Sequence, residues 1–403
     1  MESTEGWVDI RMKTMSKRKD LAILAVLNLS GWNSFLFPIW YFFYTNNLGM
    51  TPLQSTIFLT ISYLFQLLFE VPTGLIADIK GRIFSFRMGM AVIVLSTVPM
   101  FLTHNYLILL LSCAVNGLGL ALISGCLHPI AHSIFAENYP KEQVNAKLQN
   151  YQTKLHTFLF IFRAVCVLAG GIAYVINNYL PLILLISSNI AILLFSFLIN
   201  PDSKNYNSSS ISTHTSKISA FLRKNKNVVY FIALSAFLAM LLNAGWEMLV
   251  PVYGTKDLDY LELGIMFAVL SLLSGVFPAI ANKIINKSGF KFAVIASLTL
   301  SVLSVYIIGH TAYPLNLIVV LTLCGASGPL NVITNSYIQR ETPNAMQSTM
   351  LSILSSTGMV LSFVITQLDG WLLENFAPVV AAQKLLIPVL IFYAVNLLIS
   401  RKI

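Results

Sequence analysis

The sequence predicts an all-α membrane protein of twelve transmembrane helices with both ends of the chain in the cytoplasm. Three observations carry that prediction. Hydrophobic residues make up 56% of the 403, charged residues only 10%, and the mean hydropathy is +0.76, too apolar for a soluble surface. Twelve apolar runs can be counted: 21–44, 53–77, 83–103, 106–134, 155–176, 180–199, 228–253, 261–284, 292–310, 315–338, 346–368 and 384–400. Most reach the ~20 residues that cross ~30 Å of hydrocarbon as helix, and none shows the period-two alternation of a barrel strand. Numbered from a cytoplasmic N-terminus, the segments place 22 of the 25 Lys and Arg residues on the inner side. Lys256 and Lys384 fall in outer loops, and Arg163 lies inside a span. The net charge of +9 therefore reflects orientation in a lipid bilayer and implies no nucleic-acid partner.

Taken in order, residues 1–20 form a polar cytoplasmic segment, followed by a retained first helix with no small-residue cleavage site. That first span holds Asn28, Trp32 and Asn33 as candidate cavity residues, because polar side chains at mid-depth need a partner or water. Trp40, Tyr41 and Tyr44 read as an aromatic belt at the outer interface. The second span ends in Glu70-Val-Pro-Thr-Gly. Glu70 lies about one turn inside the cytoplasmic boundary and is either a structural partner of a basic residue in the next turn or a proton-coupling acid.

Between the second and third runs lies a short polar turn, 74–87. Gly74 admits a close neighbour, Gly81 supplies the positive φ that reverses the chain, and Asp78 can accept N–H groups at a helix N-terminus. Lys80, Arg82 and Arg87 hold the turn in the cytoplasm. The spacing G-x-x-A-D-x-x-G-R-x-x-x-x-R, met at Gly74, Ala77, Asp78, Gly81, Arg82 and Arg87, resembles the signature between the second and third helices of the major facilitator superfamily of transporters.

The fourth span carries Asn116, Gly117 and Gly119, then His128 and His132 four residues apart on one face. The glycines favour close packing. Two histidines do not complete a metal site, so a proton relay or simple interfacial histidines stand as the alternatives. Arg163 is costly in the fifth span unless paired or wet, which makes it a cavity candidate or half of an ion pair. Gly170-Gly171 follows it. Residues 200–227 read as a flexible linker with a short amphipathic piece near 218–222.

In the second half, Asn286 and Gly289 overlay Asp78 and Gly81 at a shift of 208 residues, a degenerate repeat. Asn243, Trp246 and Glu247 precede Pro251 in the seventh span, and Glu247 is the one acid read as clearly within a span there. A Gly328-Pro329 kink in the tenth span sits beside Asn331 and Asn335, whose amides either extend a polar cavity or face other helices. Asp369 ends the eleventh run near the outer surface and reads as solvated. Cys113, Cys126, Cys166 and Cys324 lie within spans and read as packing residues. No phosphate-cradling loop, nucleophile elbow or metal cluster is found, so neither enzyme activity nor a cofactor is expected.

The resemblance implies two six-helix bundles, 21–199 and 228–403, with the substrate between them and helices 1, 4, 7 and 10 lining the cavity. It implies that Gly74, Asp78, Gly81 and Arg82 form a conformational gate, Asp78 meeting the start of the eleventh helix after Arg340. Asn28, Trp32, Asn33, Asn116, Arg163, Asn243, Trp246, Asn331 and Asn335 are the cavity candidates, and Glu70, His128, His132 and Glu247 the proton-coupling candidates. The chain is similar to bacterial drug–proton antiporters, with a monomer in the cytoplasmic membrane expected to export a small amphiphilic compound. Cys113 stands where those antiporters carry an arginine, and only Gly170-Gly171 remains of their fifth-helix motif. Two alternatives stay open: a proton-coupled uptake symporter for a metabolite, and a non-transporting receptor or immunity protein on the same fold.

Overall fold

The computed structural model describes residues 19–199, 220–254, 259–288, 290–310, 341–342 and 347–400, and every described element is helical. After α1 (19–27) and a series of short turns come α2 (Pro52–Lys80), α3 (Arg82–Thr97), α4 (Tyr106–Ile123), α5 (Leu127–Asn138), α6 (Lys141–Ile176) and α7 (Leu180–Ser196). The second half gives α8 (Lys226–Gly254), α9 (Tyr260–Ser288), α10 (Phe290–His310), α11 (Gln347–Asn375) and α12 (Pro378–Ser400). Among the described residues, Pro52–Glu70, Arg82–Leu102, Tyr106–Asn138 and Glu142–Ile176 are long and apolar enough to cross a membrane.

Local chemistry sets the helix ends. Thr51 accepts the Gln54 N–H at 3.3 Å while Gln54 accepts the Thr51 N–H at 3.0 Å, a capping box reinforced by Pro52 in the first turn of α2. Asn105 caps α4 by accepting from the Leu107 and Ile108 N–H groups. Gly81 takes φ +97° and alone separates α2 from α3, so the chain reverses within one residue. Position 289, outside the described residues, is likewise all that separates α9 from α10. Arg87 donates to the Ser196 and Ile199 carbonyls at 2.9 and 3.0 Å and so caps the end of α7.

Two spans expected to be continuous are broken. The first stops at residue 27 and proceeds through tight helical turns at Asn28–Gly31 and Phe37–Ile39, with 32–36 non-helical between them, then Trp40–Phe42 and a wide turn at Phe43–Asn47. Pro38 cannot donate a helix hydrogen bond, and the Asn33 amide is drawn away to Asn189 Oδ1 at 2.6 Å. Non-helical backbone survives at this depth because protein covers it: a Cβ on Gly170 would strike the Phe35 carbonyl. The fold-back also overturns the expected aromatic belt, since Trp40 and Tyr44 are 4% and 8% exposed, inside the core. The fourth span breaks at Gly125, which takes φ +68° between α4 and α5.

Two further boundaries move. α11 runs on to Asn375, because Trp371-Leu-Leu continues its apolar face past the expected end at 368. α12 begins at Pro378, so Lys384 lies in a helix, its ammonium 4.4 Å over the Phe376 ring, and not in an outer loop. Phe221 and Leu222, from the expected amphipathic piece, pack on Val228, Ile232 and Met350; residues 200–219 lie outside the described residues.

One extensive hydrophobic core joins both halves at the end marked by Met50, Tyr174 and Tyr253, including Phe43, Phe58, Phe267, Ile365 and Leu372. There α6 crosses α9 at Gly171 and Gly264, where a Cβ on Gly171 would meet the Gly264 Cα at 2.9 Å. Across α2 and α11, Glu374 accepts the Leu53 N–H at 3.0 Å and Gln367 donates to Thr60 at 2.6 Å. At the opposite end the cores are separate: Leu24, Phe86, Met90, Ile134 and Leu148 cluster in the first half, Val228, Ile232 and Met350 in the second. Thr153, Lys154 and Thr157 of α6 are exposed there.

Candidate functional site

The site forms where the joined end gives way to the separated one. Arg163 stands midway along α6, its guanidinium carbon 4.9 Å from the Phe37 ring and 5.7 Å from the Trp246 ring. Phe37 comes from the broken first span and Trp246 from α8, so a cation–π contact bridges the two halves. Phe267 of α9 closes the aromatic cluster, 5.2 Å from Phe37 and 6.0 Å from Trp246. Arg163 Nε is buried and has no hydrogen-bond partner among the described residues. A guanidinium held against aromatic faces, with donor capacity unused, is suited to take an anionic group.

Next to Trp246 in α8, Glu247 is half-buried, and its Oε2 is buried without a hydrogen-bond partner among the described residues. Tyr63 of α2 lies within electrostatic reach of both Arg163 and Glu247 and is 51% exposed, turned toward the space between the halves. Asn243, one turn before Glu247, donates to Ser362 at 2.6 Å. Asp369 is fully buried within electrostatic reach of Glu247, and neither of its oxygens has a hydrogen-bond partner among the described residues. The expectation that Asp369 is solvated is therefore overturned, as is the expectation that Glu247 stands alone within a span. With α11 extending to Asn375, Asp369 lies six residues inside the helix.

The other expected site residues distribute unevenly. Trp32 packs edge-on against Phe160 at 4.9 Å and His156 at 6.2 Å, on the α6 face leading to Arg163. Asn28 bonds back to the Leu24 carbonyl at 2.8 Å, Asn33 is buried against Asn189, and Asn116 bonds Ser96 Oγ at 3.1 Å. These three amides are satisfied inside the first half and do not join the Arg163 cluster. Asn116 instead lines a cavity of about 200 Å³ within that half, with Tyr44, Ser62, Ser96 and Ser112. His128 and His132 interact with each other and lie toward Arg82, at the α2–α3 turn. Among the described residues no group of three His, Cys, Asp or Glu side chains is placed to hold a metal.

Glu70 is half-buried, and α2 continues ten residues beyond it to Lys80. That is about 15 Å of helix, so the expected pairing with the basic turn is out of reach of Lys80. Gly74 is exposed with nothing within 4 Å of a Cβ, contrary to the close helix approach expected of it. Its neighbourhood lies at the end where the described cores are separate. Close approach falls instead at Gly117, where a Cβ would strike the Ser62 carbonyl, and at Gly119, against Ile93 and Gly89. Asp78 is described by its backbone, within α2, and its side chain lies outside the described residues, as do Asn331, Asn335, Cys324 and Arg340.

Sequence reasoning did not single out Tyr63, and it misjudged Asp369. For Asp369 a signal was present: the apolar residues after Gly370 continue the helix. Tyr63 carries no such signal, because one tyrosine in an apolar run looks like packing.

Comparison with known proteins gives the fold a family. The profile of the Major Facilitator Superfamily matches residues 21–366. No curated protein matches by sequence. Among solved structures, the nucleoside transporter NupG aligns with TM-score 0.74 at 13% identity, covering 95% of this chain and 98% of its own. A bacterial homolog of the human lysosomal transporter Spinster, in an inward-facing and unoccupied conformation, aligns with TM-score 0.70 at 14% identity, covering 96% and 95%. A D-xylose–proton symporter aligns with TM-score 0.67 at 14% identity, covering 93% and 96%. With the family match spanning most of its length, the chain belongs to the Major Facilitator Superfamily and is a multi-pass membrane protein with a transporter fold.

Proposed function

We propose that the protein is a secondary active transporter that exports a small amphiphilic, preferentially anionic compound in exchange for protons by alternating access. The observation that carries this reading is Arg163, its Nε without a hydrogen-bond partner among the described residues, held between Phe37 of one half and Trp246 of the other, with Tyr63 in reach of both it and Glu247. A charge at that depth is expensive unless it serves a ligand. The aromatic rings offer an apolar surface to the rest of an amphiphile. Glu247 is the acid that would bind and release a proton as the site alternates between dry and wet.

In this reading residues 21–199 and 228–403 rock against each other about the 200–227 linker, with both ends of the chain in the cytoplasm of a bacterial cell. Asp78 and its turn hold one conformation, and a monomer suffices. The test uses purified protein in liposomes under an imposed proton gradient, with anilinonaphthalene sulfonate as an anionic probe and ethidium as a cationic one. Proton-driven movement of the sulfonate against the proton flow supports the reading. Movement with the proton flow would make the protein an uptake symporter. Binding without movement of either probe would favour a receptor on the same fold.

A further inference from the structure

The second half holds a set of buried oxygens that no described group answers. Three contacts fix the register of α8 on α11. Gly358 lies against Ala239, a Cβ on it standing 3.7 Å from the alanine methyl, and Asn243 donates to Ser362 at 2.6 Å. Four residues further on in each helix, the Thr366 hydroxyl lies within hydrogen-bonding reach of the Glu247 carboxyl. Equal steps of four on both helices mean that they run parallel with one face in contact. Asp369 is three residues beyond Thr366, on the same face one turn along, and interacts with Glu247. Glu247 Oε2, Thr366 Oγ1 and both Asp369 oxygens are buried and lack hydrogen-bond partners among the described residues.

Two carboxylates brought together away from water repel each other, and each loses several kcal/mol of hydration. Tyr63 of α2 faces Glu247 from another element, and Arg163 of α6 reaches that same tyrosine. Arg163 spends its contacts on Phe37 and Trp246, and among the described residues it forms no ion pair with either acid. What the oxygens lack is a single small positive charge that can sit between them.

We propose that Glu247 and Asp369 form a one-proton site inside the second half, with the Thr366 hydroxyl as its donor. This deepens the proton-coupled reading above by naming the pair, rather than one acid, as the place where the proton resides. Loaded, the pair carries one negative charge instead of two and tolerates the dry, joined state. Unloaded, it needs water and favours the state in which α8 and α11 are wetted from the cavity. Each cycle moves one proton on and off the pair, and no other bond is made or broken.

Infrared difference spectroscopy on the full-length protein in lipid nanodiscs, titrated with acid and base in potassium and then sodium buffers, tests this. The expected result is one protonated-carboxyl absorption that bleaches as pH rises and whose midpoint moves by about one pH unit or more in both Asp369→Asn and Glu247→Gln. It should be the same in both salts. An absorption untouched by Asp369→Asn overturns the proposal, and a midpoint displaced by sodium overturns the proton as occupant. Should Asp369→Asn fail to fold, Asp369→Glu must keep the absorption with an altered midpoint; an unaltered one overturns the proposal. An unchanged proton-to-sulfonate ratio in Asp369→Asn liposomes would sink the site and leave transport standing. The absorption in a wild type that moves neither probe would sink transport and leave the site.

Discussion

Among the described residues, the two halves share a single hydrophobic core at one end of the molecule, and at the other each half keeps its own. The joined end is built for contact: glycine faces glycine where α6 crosses α9, and polar side chains reach across between α2 and α11. The separated end has no such devices among the described residues, and α6 there exposes Thr153, Lys154 and Thr157. α6, α8 and α11 contribute buried core residues to both ends. The difference therefore reports how one half is tilted on the other, not a difference in the strength of the helices. It also explains where the unanswered charges sit. Arg163 lies beside Ala164, where the first half's share of the common core ends, and Asp369 lies behind it among the joined residues.

Filling the joined end is the largest perturbation. Gly171→Leu puts a side chain where a Cβ already meets the Tyr260 carbonyl at 2.7 Å. Overpacking of this kind costs about 3 kcal/mol, enough to shift the balance between the two tilts by over a hundredfold. Transport should fall below a tenth, while a cysteine at Tyr260 becomes readily labelled. Normal transport would mean that the α6–α9 crossing does not need to close.

Arg163→Ala is expected to weaken anilinonaphthalene sulfonate binding about thirtyfold, the equivalent of ~2 kcal/mol for a charge-assisted hydrogen bond, and to leave ethidium binding within about twofold. Equal affinity for the sulfonate in both proteins would remove Arg163 from the site. Asp78→Asn acts at the separated end. Transport should drop about tenfold with sulfonate binding intact, a conformational coupling of ~1.4 kcal/mol. Equal loss of binding and transport would contradict a gating role. The smallest effect belongs to Glu374→Gln, which weakens the carboxylate's bond to the Leu53 N–H in the first turn of α2. About 1 kcal/mol is at stake, so accessibility at the joined end should rise only a few-fold.

The sequence made the helical class and the family legible, because apolar runs, the Lys and Arg asymmetry and the 74–87 spacing depend on local residue order alone. Gly81 could be read as the reversal because positive φ is a local property, and φ +97° is what the backbone adopts. Arg163 stood out because a lone charge in an apolar run has few explanations. What could not be read depends on partners distant in the chain. Asn33 looked like a cavity residue but is taken by Asn189, 156 residues away. Trp40 and Tyr44 looked like an interfacial belt until the broken first span turned them inward. Asp369 was lost to a boundary error of seven residues in α11, and with it the second acid of the pair.

The central claim is that the joined and separated ends exchange. Spin labels at positions 51 and 375 would report the joined end, and labels at 154 and 287 the separated end, with distances measured by double electron–electron resonance in nanodiscs. All four side chains are exposed, so the labels leave the buried packing in place, and the label at 51 gives up only the α2 capping box. Addition of the anionic probe and a change of pH should lengthen the first distance and shorten the second in the same population. Distances that stay fixed under every condition, or that lengthen and shorten together, would contradict the exchange.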